Sequence, residues 1–571
     1  MAMWKTVDPI LMEVINNNLL SIAEQAGITL IKCAFSVNIK ERRDCSTVLL
    51  DKKGRVIAQA AHIPIHLGSM LNVGVEILKK YGIKNIHRGE VFINNDPFLG
   101  GSSHLSDFTI ITPMFYKNRV TFFAVNTAHH VDVGGRVPGS MSPDCKSIYE
   151  EGIRIPLIKI VEKGKLNEEI LELIAWNCRD PEERKADIRG QIAANYITEK
   201  PLTDLCEKYG TNLIDAVINK ILDYTEGKIR AKIEELPDGE YEFINYLDDD
   251  GVKDEKVPIK VTVKIKGNKV RVDFTGSGEQ ATGSLNTVRS ALLAGVYFAF
   301  KAALDPLVLP NEGFYRAIDI YAPYGTILNP KPNAAVGTRT DTVQKVVDVV
   351  LGALFKALPR ERIIAGSNAT AGSFMLYGHD YRRNKEFCYG ETIGGGSGAR
   401  CNKDGLDGVH VYATNTSNLP VESLESEYPL IVEQYSLIQD SGGAGKFRGG
   451  MGIRRDIRTI CDNVFLNSKA EGTKTSPWGV YGGEEGLPAT VVLNPDTPYE
   501  IIVHGKRSDI RLKAGDVVSI RTPGAGGFGH PSERDQESIT KDIREGVISI
   551  SKAKESYLFK ENEMKEKNKG V

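Results

Sequence analysis

Three histidines and several aspartates fall in one glycine-rich stretch of the first quarter of the chain. Gly100-Gly101-Ser102-Ser103-His104-Leu105-Ser106-Asp107 is followed by Asn126-Thr127-Ala128-His129-His130-Val131-Asp132 and preceded by Glu41-Arg42-Arg43-Asp44. The protein has ten histidines in all, so this concentration is its strongest chemical signal. Imidazole nitrogen and carboxylate oxygen bind hard and borderline divalent cations, and a mixed His/Asp set points to a redox-silent ion such as Zn²⁺ or Mn²⁺ used for hydrolysis. His104 and Asp107 share a face in a helical turn but oppose each other on a strand. A turn is therefore required, and Gly100-Gly101-Ser102-Ser103 supplies it. His129 and His130 end an apolar strand and point to opposite sides of it. At most one reaches the site of His104, and the spacing does not say which. Asp44 lies in an alternating charged run that equally suits a solvated surface. His62 and His66, on either side of Pro64, suit loop packing as well as chemistry.

These groups need elements to bring them together. Asp8-Pro9 opens a helix with a capping Asp, and Ile10, Leu11, Val14, Ile15, Leu19 and Ile22 recur at helical spacing as one buried face. Residues 47–51 and 55–58 read as a hairpin with Gly54 in the turn. Residues 62–70 lead into a helix through about Tyr81. Segments 91–94 and 120–125 read as short strands with the His104 loop between them, so the candidate ligands converge at one end of a sheet. Residues 160–235 look helical, with starts at Asn167 and Asp180-Pro181. Near Gly239 the period turns alternating, giving strands at 241–246 and 257–265 and a turn at 266–269 into 270–274. Segments 290–304 and 342–358 read as apolar helices. The expected fold class is mixed α+β: an N-terminal α/β metal-bearing region over 1–238, a mixed β/α region over 239–335, a glycine-rich, β-rich region over 336–532 and a charged helical tail over 533–571.

Among 571 residues the formal net charge is −2 and the charged fraction 26%, so no basic excess argues for nucleic acid and no acidic run for a basic partner. No apolar stretch is long enough to span a bilayer, and the N-terminus lacks a signal-peptide core. The expectation is a cytoplasmic protein without membrane contact. Eight cysteines form no Cys-x-x-Cys pair. The 56 glycines cluster near 394–408, 442–452 and 524–529, marking special backbone rather than general flexibility. Gly524-Ala-Gly526-Gly-Phe-Gly529 matches a dinucleotide fingerprint literally, but His530-Pro531 follows where a helix N-terminus is needed. Gly394–Gly398 and Gly442–Lys446 likewise lack a P-loop ending, so this chain is not expected to bind ATP in the usual way. No G-x-S-x-G nucleophile elbow occurs.

In order along the chain, these segments resemble the hydantoinase B/oxoprolinase family. The matching pieces are Asp8-Pro9-Ile-Leu-Met-Glu13-Val, Ser36–Ser46, His62-Ile-Pro-Ile-His66-Leu-Gly68, Asn95-Asp96-Pro97 through Asp107, and Asn126 through Gly135. Gly394–Gly398, Gln439–Gly450 and Thr522–Pro531 continue the match, so it covers essentially the whole chain. Cys45 is a departure, where the family motif often has Phe. The resemblance implies the B-type subunit of an ATP-dependent cyclic amide hydrolase, of the N-methylhydantoinase, 5-oxoprolinase or lactamase kind. A separate hydantoinase A-type subunit would bind ATP and phosphorylate the carbonyl oxygen of a small cyclic amide, within a hetero-oligomer. Carried over by motif, the metal ligands are Asp44, His104, Asp107 and His129, with Zn²⁺, Mn²⁺ or Fe²⁺ compatible. His130, Asp132 or a nearby carboxylate would move protons. A metal lowers the pKa of bound water from 15.7 toward about 7, which supplies hydroxide at neutral pH. The alternatives are a subunit of an ATP-dependent ketone carboxylase of the acetone or acetophenone type, and a non-catalytic scaffold for an ATPase partner.

Overall fold

The computed structural model describes residues 7–60 and 62–559. The chain forms two compact units: the first is built from residues up to 243 with 260–350 and 413–419, the second from 244–259, 351–412 and 420 onward. Among the described residues, no helix is long and apolar enough to cross a membrane.

The first unit begins with α1 (Pro9–Cys33), where the Asp8 carboxylate accepts from the Ile10 N–H at 3.0 Å and Pro9 takes a position that needs no amide donor. Its buried stripe runs through Ile15, Leu19, Ile22, Ala23, Ala26 and Leu30. Ile10 and Val14, expected in that stripe, are 74% and 40% exposed. They stand one position round from Leu11 and Ile15, and one residue is about 100° of helix.

A seven-stranded sheet follows, in the order β2-β1-β5-β4-β3-β6-β7. Its strands are β1 (Cys45–Asp51), β2 (Val56–Ala60), β3 (Val91–Asn94), β4 (Asp107–Tyr116), β5 (Arg119–His129), β6 (Ile158–Glu162) and β7 (Lys165–Leu166), paired antiparallel throughout. Gly54 makes the β1–β2 turn at φ +78°, as the sequence predicts. The sequence reading leaves 107–116 without a strand. That segment is β4, buried on both faces, so its side chains carry no alternation to reveal it.

The helices over this sheet are α2 (Val37–Lys40), α3 (His66–Ser69), α4 (Val73–Tyr81), α5 (Glu168–Ala175), α6 (Pro181–Tyr196), α7 (Glu199–Tyr209) and α8 (Thr211–Glu234). The single helix expected from the His66 region to Tyr81 is thus broken into α3 and α4. On one face, Leu49, Ala58, Met114, Phe122 and Ala124 pack with Ile15, Leu19 and Ile22 of α1 and with apolar residues of α7 and α8. α6 lies on the same side and carries amides rather than an oily stripe. Gln191 and Asn195 donate to the Phe108, Ile110 and Ala124 carbonyls, and the Asn126 amide bonds back to both helix residues.

A second sheet, in the order β11-β10-β9-β8, uses β8 (Gly239–Leu247), β9 (Val257–Lys266), β10 (Lys269–Asp273) and β11 (Ile318–Tyr321). The remaining helices of this unit are α9 (Arg289–Leu304), α10 (Glu312–Arg316) and α11 (Arg339–Leu354). Residues 413–419 return to it from far along the chain. Ala413 bonds Ile65 and Gln344, Asn415 donates to the His62 carbonyl, and the Ser417 N–H donates to the Arg42 carbonyl.

The second unit holds two antiparallel sheets. One has Lys385–Glu391, Phe374–Asp380, Val464–Ser468 and Arg507–Leu512 in that order; the other has Leu430–Leu437, Ile453–Thr459, Val517–Arg521, Thr490–Leu493 and Ile501–Val503. Between them the glycine clusters pack backbone on backbone. Gly396 N–H donates to the Pro523 carbonyl, Ala525 to Gly450, Gly450 to Ser397, and Gly443 to Ala525. A Cβ on Gly524 would lie 1.8 Å from the Ser441 carbonyl oxygen, so only glycine permits the approach. The expected C-terminal helices are present at Gln536–Arg544 and Ile550–Ser556, and they dock through Ile539, Ala553 and Tyr557 onto Ala444 and Met451. Residues 560–571 of the expected tail lie outside the described residues. The fold is α+β.

Candidate metal centre

Strand register places the site. Asp107 of β4 stands opposite His129 of β5, and the His129 backbone N–H donates to the Asp44 carbonyl at 2.9 Å. The next pair along β1 and β5 is Cys45 with Ala128, so Asp44, His129 and Asp107 form one row across three neighbouring strands. His104 enters from the turn that opens β4: the Asp107 N–H donates to the His104 carbonyl at 3.2 Å. Gly101 makes that turn possible at φ +90°, and Asn94 and Asn95 pin it by donating to the Gly100 and Leu105 carbonyls at 2.7 Å each.

The result is a tight triad. His104 Nε2 is 3.0 Å from Asp107 Oδ1 and 3.0 Å from His129 Nδ1, and His129 Nδ1 is 3.4 Å from Asp107 Oδ1. Ligand atoms around a cation with bonds of about 2.0–2.2 Å stand about 3–3.6 Å apart in tetrahedral or octahedral geometry, so the spacing fits such an ion. All three side chains are buried, and the other ring nitrogen of His104 has no hydrogen-bond partner. Burial, and then the Arg339 guanidinium, push the His104 pKa down to about 3. At neutral pH its ring is therefore uncharged and offers a lone pair. Burial alone would raise the Asp107 pKa. The His104 ring, hydrogen bonds from both histidines and Arg339 outweigh it and hold the carboxyl well below its ordinary range. A neutral imidazole pair with an ionised carboxylate is the donor set a divalent cation takes.

The other expected residues lie elsewhere. The Asp44 carboxylate is half-buried and outside the cluster of ligand atoms that share a 4.8 Å span, and its charge acts on His66 and Arg339. His130 points to the opposite face of β5, as strand parity requires. Its Nε2 is 3.0 Å from Gln191 Oε1 of α6, its ring lies against Phe108, and burial followed by Arg184 pushes its pKa down to about 3. Asp132 accepts from the Gly134, Gly139 and Arg179 N–H groups and pairs with the Arg179 guanidinium at 2.8 Å. Both partner sets are structural, which corrects the expectation that either residue moves protons at the site. Cys45 turns to the α1 face among Leu30, Ala34 and Ala128, and burial, then Asp44, push its thiol above its ordinary range.

Sequence reasoning weighs His66 evenly and misses Arg339 and Glu151. His66 is fully buried on α3, with Nδ1 2.9 Å from Ser46 Oγ, and burial lowers its pKa against the pull of Asp107 and Asp44. Arg339 opens α11 and donates to Ser103 Oγ. Glu151 Oε1 accepts from the Val336 and Gly337 N–H groups at 2.8 and 2.7 Å, and burial raises its pKa to about 8. No motif spacing links Arg339 to His104. For His66, the signal is its place two residues beyond Pro64 in a run shared with the family.

The family model described as Hydantoinase B/oxoprolinase matches residues 8–531. An uncharacterized protein of Methanocaldococcus jannaschii is 42% identical over 97% of this chain and 96% of its own length. The B-type subunit of a putative D-/L-hydantoinase of a Pseudomonas species is 31% identical over 97% of this chain and 95% of its own. The 5-oxoprolinase of Dictyostelium discoideum is 34% identical over 92% of this chain, which spans 40% of that longer protein. Among solved structures, the ATP-dependent caprolactamase of Pseudomonas jessenii superposes with a TM-score of 0.90 at 30% identity, covering 98% of both chains. An acetone carboxylase chain shares the fold, with a TM-score of 0.88 at 19% identity over 96% of this chain and 79% of that one. The chain belongs to the hydantoinase B/oxoprolinase family.

Proposed function

We propose that this chain is the B-type subunit of an ATP-dependent cyclic amide hydrolase that opens a hydantoin, 5-oxoproline or lactam ring with the help of a divalent metal. The observation that carries the reading is the convergence of His104 Nε2, Asp107 Oδ1 and His129 Nδ1 within 3.4 Å of one another in a chain alike end to end with a caprolactamase. His104, Asp107 and His129 would hold the ion, with Asp44 beside them as the fourth ligand; Zn²⁺, Mn²⁺ and Fe²⁺ all suit this donor set. Such an ion acidifies water and polarises a carbonyl or phosphoryl oxygen.

The chain's own residues supply the rest. His104 stays neutral, Asp107 stays ionised, and His66 presents a neutral ring from the helix over the same sheet face. That ring can take the proton a water gives up as it attacks. Opening a five-membered cyclic amide is opposed by amide resonance and by easy reclosure, so phosphorylation of the carbonyl oxygen by a partner creates a leaving group and drives the reaction. The partner is inferred from chain lengths. The chain spans nearly the whole of a hydantoinase B-type subunit, yet only 40% of a 5-oxoprolinase polypeptide, whose remainder would correspond to a separate ATP-binding protein here.

Elemental analysis of the purified chain beside its His104→Ala variant tests the metal. About one Zn or Mn per chain, lost in the variant, supports the reading; no metal after metal-replete preparation refutes it. Ring opening of hydantoins and lactams by the chain co-expressed with its partner tests the substrate class. The shared fold with acetone carboxylase favours a second reading, carboxylation of a ketone. Bicarbonate-dependent ATP turnover with a ketone, and none with lactams, would select it.

A further inference from the structure

The Asp107 carboxylate has two oxygens, and the structure treats them differently. Oδ1 faces His104 and His129 at 3.0 and 3.4 Å, while Oδ2 accepts from Ser103 Oγ at 2.8 Å and lies 3.4 Å from Arg339 Nη2. Arg339 in turn donates to the same Ser103 oxygen from Nε at 3.0 Å and Nη2 at 2.6 Å. A guanidinium has only donors, and a serine hydroxyl has one proton. With its lone pairs filled by Arg339, Ser103 must give that proton to Asp107 Oδ2, so the direction of every bond in the chain is fixed. Arg339, Ser103 and Asp107 are 4%, 0% and 1% exposed, so water does not compete for these contacts.

We propose that Arg339, acting through Ser103, is a positioning residue that engages Oδ2 of Asp107 and so makes the carboxylate present a single oxygen, Oδ1, to the site. The role rests on the metal reading above. It explains why a cation is buried beside a site meant to bind one. The repulsion is accepted because the planar fork holds Ser103 by two nitrogens while reaching Asp107, and a lysine cannot make that arrangement. Loss of such outer partners typically weakens metal affinity 10–100-fold.

The test is titration of Co²⁺ into the full chain, followed by calorimetry and visible absorption, for the wild type and for His104→Ala, Ser103→Ala, Arg339→Met and Arg339→Lys. The wild type should bind about one ion and His104→Ala none. Ser103→Ala and Arg339→Met should bind about 10–100-fold more weakly, with a changed absorption band as Asp107 turns both oxygens to the ion. Arg339→Lys should fall between Arg339→Met and the wild type. Wild-type affinity and spectrum in both Ser103→Ala and Arg339→Met would overturn the role while leaving the metal reading intact. If the wild type itself takes up no cobalt, the metal reading fails and the role falls with it. Should Arg339→Met not fold, Ser103→Ala decides, since it removes only one buried hydroxyl.

Discussion

His104 makes more contact with the other candidate ligands than any residue of the site, since its Nε2 lies 3.0 Å from both Asp107 and His129. Asp44 lies outside that cluster. The two should therefore differ on substitution. His104→Ala is expected to abolish metal uptake, whereas Asp44→Ala is expected to weaken it by about tenfold to a hundredfold, as read by elemental analysis after dialysis against a chelator. At this scale the sequence was legible where chemistry and adjacency coincide: His104, Asp107 and His129 stand close together and are unusual residue types. It was silent on Arg339, because a buried guanidinium more than two hundred residues downstream leaves no local pattern. Parity showed that His129 and His130 diverge, but only the position of α6 determined which face His130 meets.

The row Asp44–His129–Asp107 exists only because β1, β5 and β4 keep their register, and a slip of one residue would turn each side chain to the other face. The amides of α6 guard that register by bonding strand carbonyls on the far side. Gln191→Leu would strand the Phe108 carbonyl, Asn126 and His130, each worth about 1–3 kcal/mol when buried without a partner. A melting temperature lowered by several degrees is expected, with metal content per folded chain unchanged because the site lies on the opposite face. Glu151 fastens the turn before α11 and holds a proton up to about pH 8 when folded. Unfolded, it would lose that proton near its ordinary value of 4.5. Between those values the folded state binds more protons, so this contribution is full below about pH 4.5 and drains away toward pH 8. Raising the pH from 5 to 8 should lower the melting temperature more in the wild type than in Glu151→Gln. Helix starts with Asp or Asn caps and the 266–269 turn were readable because their signals are local. β4 was not, because a strand buried on both faces has no period to read.

Across the whole molecule the glycines divide into two kinds, and substitution should separate them. Gly524→Ala would place a methyl 1.8 Å from the Ser441 carbonyl oxygen and force the backbone lattice apart. Loss of soluble protein, or destabilisation of more than about 3 kcal/mol, is expected. Gly227, within α8, has nothing within 4 Å of such a methyl, and Gly227→Ala should stabilise by about 0.5–1 kcal/mol. Glycine clustering in the sequence announced special backbone but could not say that backbone packs on backbone, since that depends on which segments meet. The return of residues 413–419 has a consequence for synthesis. At about 5–20 residues per second, the ribosome has made the metal ligands long before it delivers the segment that bonds Ile65, Gln344 and Arg42. The nascent first unit must wait, incomplete, while more than sixty residues of another unit emerge. A chain released at residue 350 should therefore be captured by chaperones or aggregate, and supplying residues 413–419 as a separate peptide would not restore it, because the tether that raises their local concentration is gone.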